Sequence, residues 1–106
     1  MPKAKITVVR IAAYADLIEE HVDVERYPGN AGPCPFWKLG QEFLLEGDWP
    51  EKPKGFCESA WSDIHTHVAM IMLGGNLPWL KSRGVDIVCC NDGFRPVSFK
   101  IERLES

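Results

Sequence analysis

An amphipathic stripe between residues 58 and 73 constrains the fold of this chain more than any other feature. Its apolar side chains recur at spacings of three and four residues, which is typical of one face of an α-helix. The members of the stripe are Trp61, Ile64, Val68, Ile71 and Met72. Glycines at 74 and 75 and a proline at 78 stop the helix, because glycine accepts a left-handed cap and proline cannot continue the helix. A helix with one apolar face must pack against another layer.

Runs of β-branched residues on both sides of this helix supply that layer. Residues 5–11, 41–46, 85–90 and 97–104 predict four strands. An Asp-Gly pair at 92–93 predicts a hairpin between the last two, with a loop longer than two residues or a bulge. Residues 15–24 predict a short extra helix, with Leu17, Ile18, His21 and Val22 on its apolar side. We therefore expect one α+β domain over residues 1–106: a small four-stranded antiparallel or mixed sheet with one main helix packed on one face.

Charge and hydropathy exclude several classes of partner. Twelve Lys and Arg face 15 Asp and Glu for a net charge of -3, without a basic run, so we expect no nucleic-acid partner. No apolar stretch is close to the length of a membrane span, which is about 18 residues or more, so we expect no membrane partner. The N-terminus lacks the pattern of a signal peptide, which favours a cytoplasmic location where thiols stay reduced. The cysteines are then expected to be thiols or metal ligands rather than disulfides.

The four cysteines are the main candidates for chemistry. Cys34 lies in a Pro/Gly-rich loop over residues 26–40, Cys57 opens the main helix, and Cys89 and Cys90 end a strand. No pair has the two-residue gap of a zinc knuckle. Because ends of elements often converge, we predict a joint thiolate site with zinc or iron as the natural occupant. The alternative is that these cysteines are small, buried and inert.

Geometry limits how these groups can combine. Cys89 and Cys90 point to opposite faces of a regular strand, so only a bulge would aim both at one metal. Cys57 is the best candidate for reactivity, because backbone N–H groups and the positive dipole end surround the first turn of a helix. His65 and His67 cannot chelate together from a regular helix. We expect His65 to be a hydrogen-bonded core histidine and His67 to face solvent.

Aromatic and charged residues near the loops are candidate ligand-binding groups. Trp37 and Trp79 bring large apolar area with a polar N–H, and Arg95 follows the predicted hairpin turn, where it can pair with an anion. We include His65 in this ligand-binding set. The alternative is that the tryptophans cover a small core.

Four blocks of sequence carry a resemblance. They are CPFWKLGQEF at 34–43, GFCESAWSDI at 55–64, GGNLPW at 74–79 and CCNDGFRPVSFKIER at 89–103. In this order they resemble a family of small prokaryotic, cysteine-containing proteins to which no activity is assigned. The resemblance implies that the cysteine-bearing blocks belong to the family pattern, which favours a shared role for Cys34, Cys57 and Cys90. It supplies no catalytic residues.

Three hypotheses for function follow. The first is a thiolate site that binds a metal or performs redox or sulfur chemistry. The second is a non-catalytic accessory module that binds a small molecule or a partner through its loop tryptophans and Arg95. The third is a structural protein whose cysteines fill the core. We also predict a homodimer, because a four-stranded sheet leaves edge strands to cover.

Overall fold

A computed structural model describes residues 1–105 of the chain. The strands and helices follow the order of the predicted elements, and a 3-10 turn, Pro28–Asn30, lies in the loop after the first helix. They are β1 (Lys3–Ile11), α1 (Ala15–His21), β2 (Glu42–Glu46), α2 (Glu58–Met72), β3 (Val85–Cys89) and β4 (Val97–Leu104). The predicted α+β fold is confirmed.

The four strands form one sheet in the order β2-β1-β4-β3, and every neighbouring pair is antiparallel. The antiparallel alternative of the prediction is thus the correct one. β1 and β4 occupy the centre and pair from Lys3 opposite Leu104 to Ile11 opposite Val97. The register shifts between Val8 and Arg10, which marks a bulge in β1. β2 and β3 are the two edges.

The core lies between α2 and one face of the sheet. Alternate residues of β1 and β4 point toward the helix, as the period of two in an antiparallel strand dictates. From α2 the inward residues share the three- and four-residue spacing of the predicted stripe. The residues with no exposed surface are Ala4, Ile6, Val8, Ile64, Val68, Ile71, Val97, Phe99 and Ile101. Trp61, predicted on this stripe, is only partly buried.

The first helix departs from its prediction. α1 ends at His21 instead of continuing to Val24. Of its seven residues, Ile18 is the one that is buried. Leu17 is 37% exposed and the His21 side chain lies mostly in solvent. In the described part of the chain α1 packs on no strand as extensively as α2 does, so its apolar positions lack an extended partner surface. The helical period was correct, but period alone does not show whether a partner surface is free.

A search for helices that are both long and apolar enough to cross a membrane finds none in the described part of the chain.

Candidate functional site

Three of the four cysteines line one pocket. Cys34, Cys57 and Cys90 belong to a pocket of about 210 Å³ beside the start of α2. They come from three separate places in the chain: the loop before β2, the residue that precedes α2, and the residue after β3. Each is partly buried and a free thiol. The structure therefore places in one pocket the three cysteines for which the sequence blocks favour a shared role.

Cys57 and Cys90 are positioned by the backbone. Cys57 is the N-cap residue of α2, where its extended backbone turns into the helix. Cys90 continues the β3–β4 ladder for one step: its N–H donates to the carbonyl of Val97 at 3.1 Å, and its Sγ accepts the N–H of Val97 at 3.3 Å. The strand ladder positions Cys90 and the helix start positions Cys57, so two of the three pocket cysteines are fixed by regular structure.

Cys89 lies outside this pocket. It pairs with Ser98 in the last step of the β3–β4 register and is exposed, whereas Cys90 is turned inward and packs against the core. The alternation of side chains along β3 separates the two adjacent cysteines. The expectation that a regular strand sends at most one of them inward is thus met, and Cys89 is no partner of the other three in this pocket.

Trp37 forms the apolar wall of the pocket. It is 6% exposed, and its ring makes edge-on contacts with those of Phe43, Phe56 and Phe99 at centroid distances of 5.9, 4.9 and 5.1 Å. Edge-on packing of this kind is a favoured aromatic geometry. Trp37 therefore belongs both to the core and to the pocket, and it is held rigidly.

Arg95 and Asp92 form a charged wall on the β3–β4 loop. The Asp92 carboxylate accepts the backbone N–H groups of Phe94 and Arg95, and its Oδ2 accepts Nε of Arg95 at 3.3 Å. Nη1 of Arg95 donates to the carbonyl of Gly29 at 3.1 Å. Arg95 thereby ties the loop that precedes Cys34 to the loop that follows Cys90. Within residues 1–105 its Nη2 has no hydrogen-bond partner.

Asp63 contributes a second carboxylate to the same pocket. It lies one turn into α2, and its Oδ2 accepts the N–H of Asn91 at 2.9 Å. In the described part of the chain it forms no ion pair within 4.0 Å. Asp92, in contrast, is neutralised by Arg95. The pocket thus keeps one unpaired carboxylate.

The N-terminus of α2 opens onto the pocket as well. Among residues 1–105 no side chain caps this helix, and its first intrahelical bond runs from the N–H of Trp61 to the carbonyl of Cys57. The N–H groups before Trp61 are those that an α-helix leaves without an internal partner. Two of the residues that carry them, Ser59 and Ala60, line the pocket. This end of the pocket is electropositive.

Trp79 and His65 of the predicted ligand-binding set do not line this pocket. Trp79 is 74% exposed on the loop after α2. The ring of His65 lies 6.1 Å from that of Trp61, and its buried Nδ1 has no hydrogen-bond partner within residues 1–105, contrary to the expected hydrogen-bonded core histidine. His67 is exposed, as expected, and its Nδ1 also lies 3.2 Å from the Asp86 carboxylate.

The described residues contain no preformed set of metal ligands. Within residues 1–105 no group of three or more Cys, His, Asp or Glu side chains is placed to hold a metal ion. The three pocket cysteines share a pocket without forming a closed thiolate cluster. Zinc or iron at these cysteines stays a prediction.

Sequence reasoning missed Ser59, Asp63 and Asp92 as pocket residues. Asp63 follows Ser59 by four positions, so the two share a helix face, which the spacing alone reveals once Cys57 is the N-cap. Asp92 lies in the Asn-Asp-Gly turn, where such a carboxylate commonly accepts N–H groups two or three residues later. The signals were present, but Asp92 was interpreted only as part of a turn, and Ser59 and Asp63 only as part of the predicted helix.

Comparison of the chain with models of known protein families, with curated proteins and with solved structures finds no match. The resemblance of its four sequence blocks to a family of small prokaryotic proteins therefore stays a prediction.

Proposed function

We propose that this protein performs thiol–disulfide chemistry on a small molecule, with Cys34, Cys57 and Cys90 as its working groups. One observation carries the proposal: cysteines from three distant segments line a single pocket, while the fourth cysteine of the chain lies apart and exposed. Inert cysteines that only fill the core have no reason to share an open pocket. Thiols in one small pocket can attack a bound sulfur compound and then resolve the product.

Cys57 is the first nucleophile in this proposal. It is the residue from which α2 starts, and the unpaired N–H groups of that helix stabilise negative charge that develops on a neighbouring sulfur. Its thiolate attacks one sulfur of a disulfide, the S–S bond breaks, and a mixed disulfide and one free thiol result. A second pocket cysteine then displaces the bound half, which leaves as a thiol while a protein disulfide forms.

Alkylation of the reduced protein with a limiting amount of iodoacetamide tests this role. Tandem mass spectrometry separates Cys89 from Cys90 and gives a labelling rate for each site. Exposure alone predicts that Cys89 reacts first, because it is the exposed cysteine. We expect Cys57 to react before Cys89. Labelling of Cys89 ahead of all three pocket cysteines would contradict the proposal.

A second experiment tests the exchange itself. Hydroxyethyl disulfide added to the reduced protein is expected to produce a disulfide between two pocket cysteines, seen by mapping of non-reduced peptides. The Cys89→Ser variant should behave like the wild type, since Cys89 lies outside the pocket. The Cys57→Ser variant should form no such disulfide. Equal oxidation of wild type and Cys57→Ser would contradict Cys57 as the attacking residue.

The alternative function is non-covalent binding of a small molecule by the same pocket, for which the rigid Trp37 wall and Arg95 are the supporting observations. A binding module would keep its ligand affinity when Cys34, Cys57 and Cys90 are each replaced by Ser.

Metal analysis of protein purified without added metal tests for zinc and iron in the same three Ser variants and in the wild type. Stoichiometric metal that is lost in these variants would favour the metal site over both.

A further inference from the structure

The pocket at Cys57 carries opposite charges at its walls, and these restrict what it can bind. Asp63 is a carboxylate without an ion-pair partner in the described residues. The start of α2 presents unpaired N–H groups. Arg95 is paired with Asp92 through Nε, but its Nη2 keeps a donor free of partners in that same part of the chain. A ligand that carries one ammonium and one carboxylate complements both features. A ligand with one kind of charge satisfies only half of them.

The size of the pocket sets a second restriction. Its volume of about 210 Å³ is below the roughly 300–1,000 Å³ of sites for drug-sized molecules. It equals the space of roughly seven water molecules at about 30 Å³ each. One amino acid of the size of cysteine fits such a space, whereas a tripeptide thiol would extend into solvent.

We infer that the substrate of this pocket is a disulfide of a small zwitterionic thiol, an amino-acid disulfide of which one cysteine-sized half is bound in the pocket. This inference rests on the proposed thiol–disulfide function and names its substrate class. The bound half places its ammonium at Asp63 and its carboxylate at the N–H groups of α2 and at Arg95. The Cys57 thiolate attacks the sulfur of that half, the S–S bond breaks, and the outer half leaves as a thiolate that takes a proton from water.

Four matched disulfides test the charge requirement. Cystine carries both charges, cystamine only the ammonium, dithiodipropionic acid only the carboxylate, and hydroxyethyl disulfide neither. Each is added to the reduced Cys89→Ser variant, which removes the exposed thiol. Mass spectrometry follows the rate at which the fully reduced protein is lost, whether to the mixed disulfide or to the protein disulfide that replaces it. Each rate is divided by that of free N-acetylcysteine with the same disulfide, which removes intrinsic differences in reactivity. We expect the normalised rate for cystine to exceed that for the neutral disulfide by about tenfold or more.

Two variants then assign the charges. Asp63→Asn keeps an acceptor for the Asn91 N–H and removes only the charge. It is expected to slow cystine and cystamine and to leave the other two disulfides unchanged. Arg95→Gln is expected to slow cystine and dithiodipropionic acid. Circular dichroism of each variant confirms that it is folded.

The outcomes separate this inference from the proposed function. Equal normalised rates for all four disulfides would overturn the zwitterionic substrate and leave the thiol chemistry intact. The same holds if Asp63→Asn slows every disulfide alike. If none of the four disulfides reacts at a pocket cysteine, the thiol function itself is overturned. The comparison of the four disulfides needs no variant of a pocket residue, so the inference is testable even if Arg95→Gln does not fold.

Discussion

At the scale of single residues, Arg103 connects more of this domain than its place near the end of the chain suggests. Its Nη1 donates to the carbonyls of Ile71 and Gly75 at 2.9 and 2.7 Å, and its Nη2 donates to Oδ1 of Asn76 at 2.9 Å. The last carbonyls of a helix lack intrahelical partners, so a strand side chain here completes the end of α2. Gly84 permits this approach: its φ is +70°, and a Cβ there would lie 3.1 Å from Cζ of Arg103.

We expect Arg103→Met to lower the free energy of unfolding by about 2–3 kcal/mol, because three part-buried hydrogen bonds from a charged donor are lost together. Arg103→Lys is the matched control and should recover only part of the loss, since an ammonium cannot reproduce the fork of a guanidinium. Urea unfolding measures both. Wild-type stability in Arg103→Met would show that the network contributes nothing.

At the scale of elements, a polar pair, His67 and Asp86, joins α2 to the edge strand β3. Asp86 is 6% exposed and points toward α2, and its hydrogen-bond partner in the described residues is Nδ1 of His67 at 3.2 Å. The His67 side chain is half exposed. A buried carboxylate without a partner is costly, so His67 matters mainly because Asp86 is there.

We expect His67→Ala to destabilise the protein by about 1–3 kcal/mol, because it leaves the Asp86 carboxylate buried without its partner. The double variant His67→Leu with Asp86→Val should be clearly more stable than His67→Ala, since removing both polar groups leaves nothing unsatisfied. Thermal and urea unfolding of the wild type, of His67→Ala and of the double variant measure this. Equal loss in the single and the double variant would argue against the pairing.

The elements were predictable from sequence because each reflects a local period. α2 was expected over residues 58–73 and spans Glu58–Met72, and β4 has its expected bounds. The pocket was predictable only in part. Cys34, Cys57 and Cys90 each lie at a loop junction, which is visible locally, but the bond from Arg95 to the Gly29 carbonyl joins residues 66 positions apart. This contact depends on the way in which two long loops pack against each other, and a local sequence period carries no information about that packing.

The His67–Asp86 pair shows the same limit between two correctly predicted elements. The helical period of α2 and a strand over residues 85–90, observed as Val85–Cys89, were both predicted from sequence. The order of the strands in the sheet decides which strand lies under His67, and that order places β3 at an edge beside β4. Strand order is a property of the whole sheet. The sequence around Asp86 therefore does not indicate that His67 is its partner.

At the scale of the whole molecule, the two sheet edges differ in chemistry. The outward face of β2 shows Leu44, but Glu42 and Glu46 flank it and pair with lysines of β1. The outward face of β3 shows Ile87, which is 53% exposed, and no charged residue of β3 shares that face, since Asp86 points inward. Like charges opposite each other disfavour pairing of two β2 edges. β3 is the edge with less protection against strand addition.

We therefore expect two copies of the chain to pair through their β3 edges in an isologous dimer, which would extend the four-stranded sheet across a two-fold axis. Light scattering at tens of micromolar protein, a range where moderately tight dimers form, should give about twice the chain mass of 12.0 kDa. Ile87→Lys should yield a monomer, because a lysine on an edge strand opposes pairing. Leu44→Lys places the same charge on the other edge and should leave the dimer intact. A 12.0 kDa particle for the wild type, or a dimer that survives Ile87→Lys and is lost in Leu44→Lys, would contradict this arrangement.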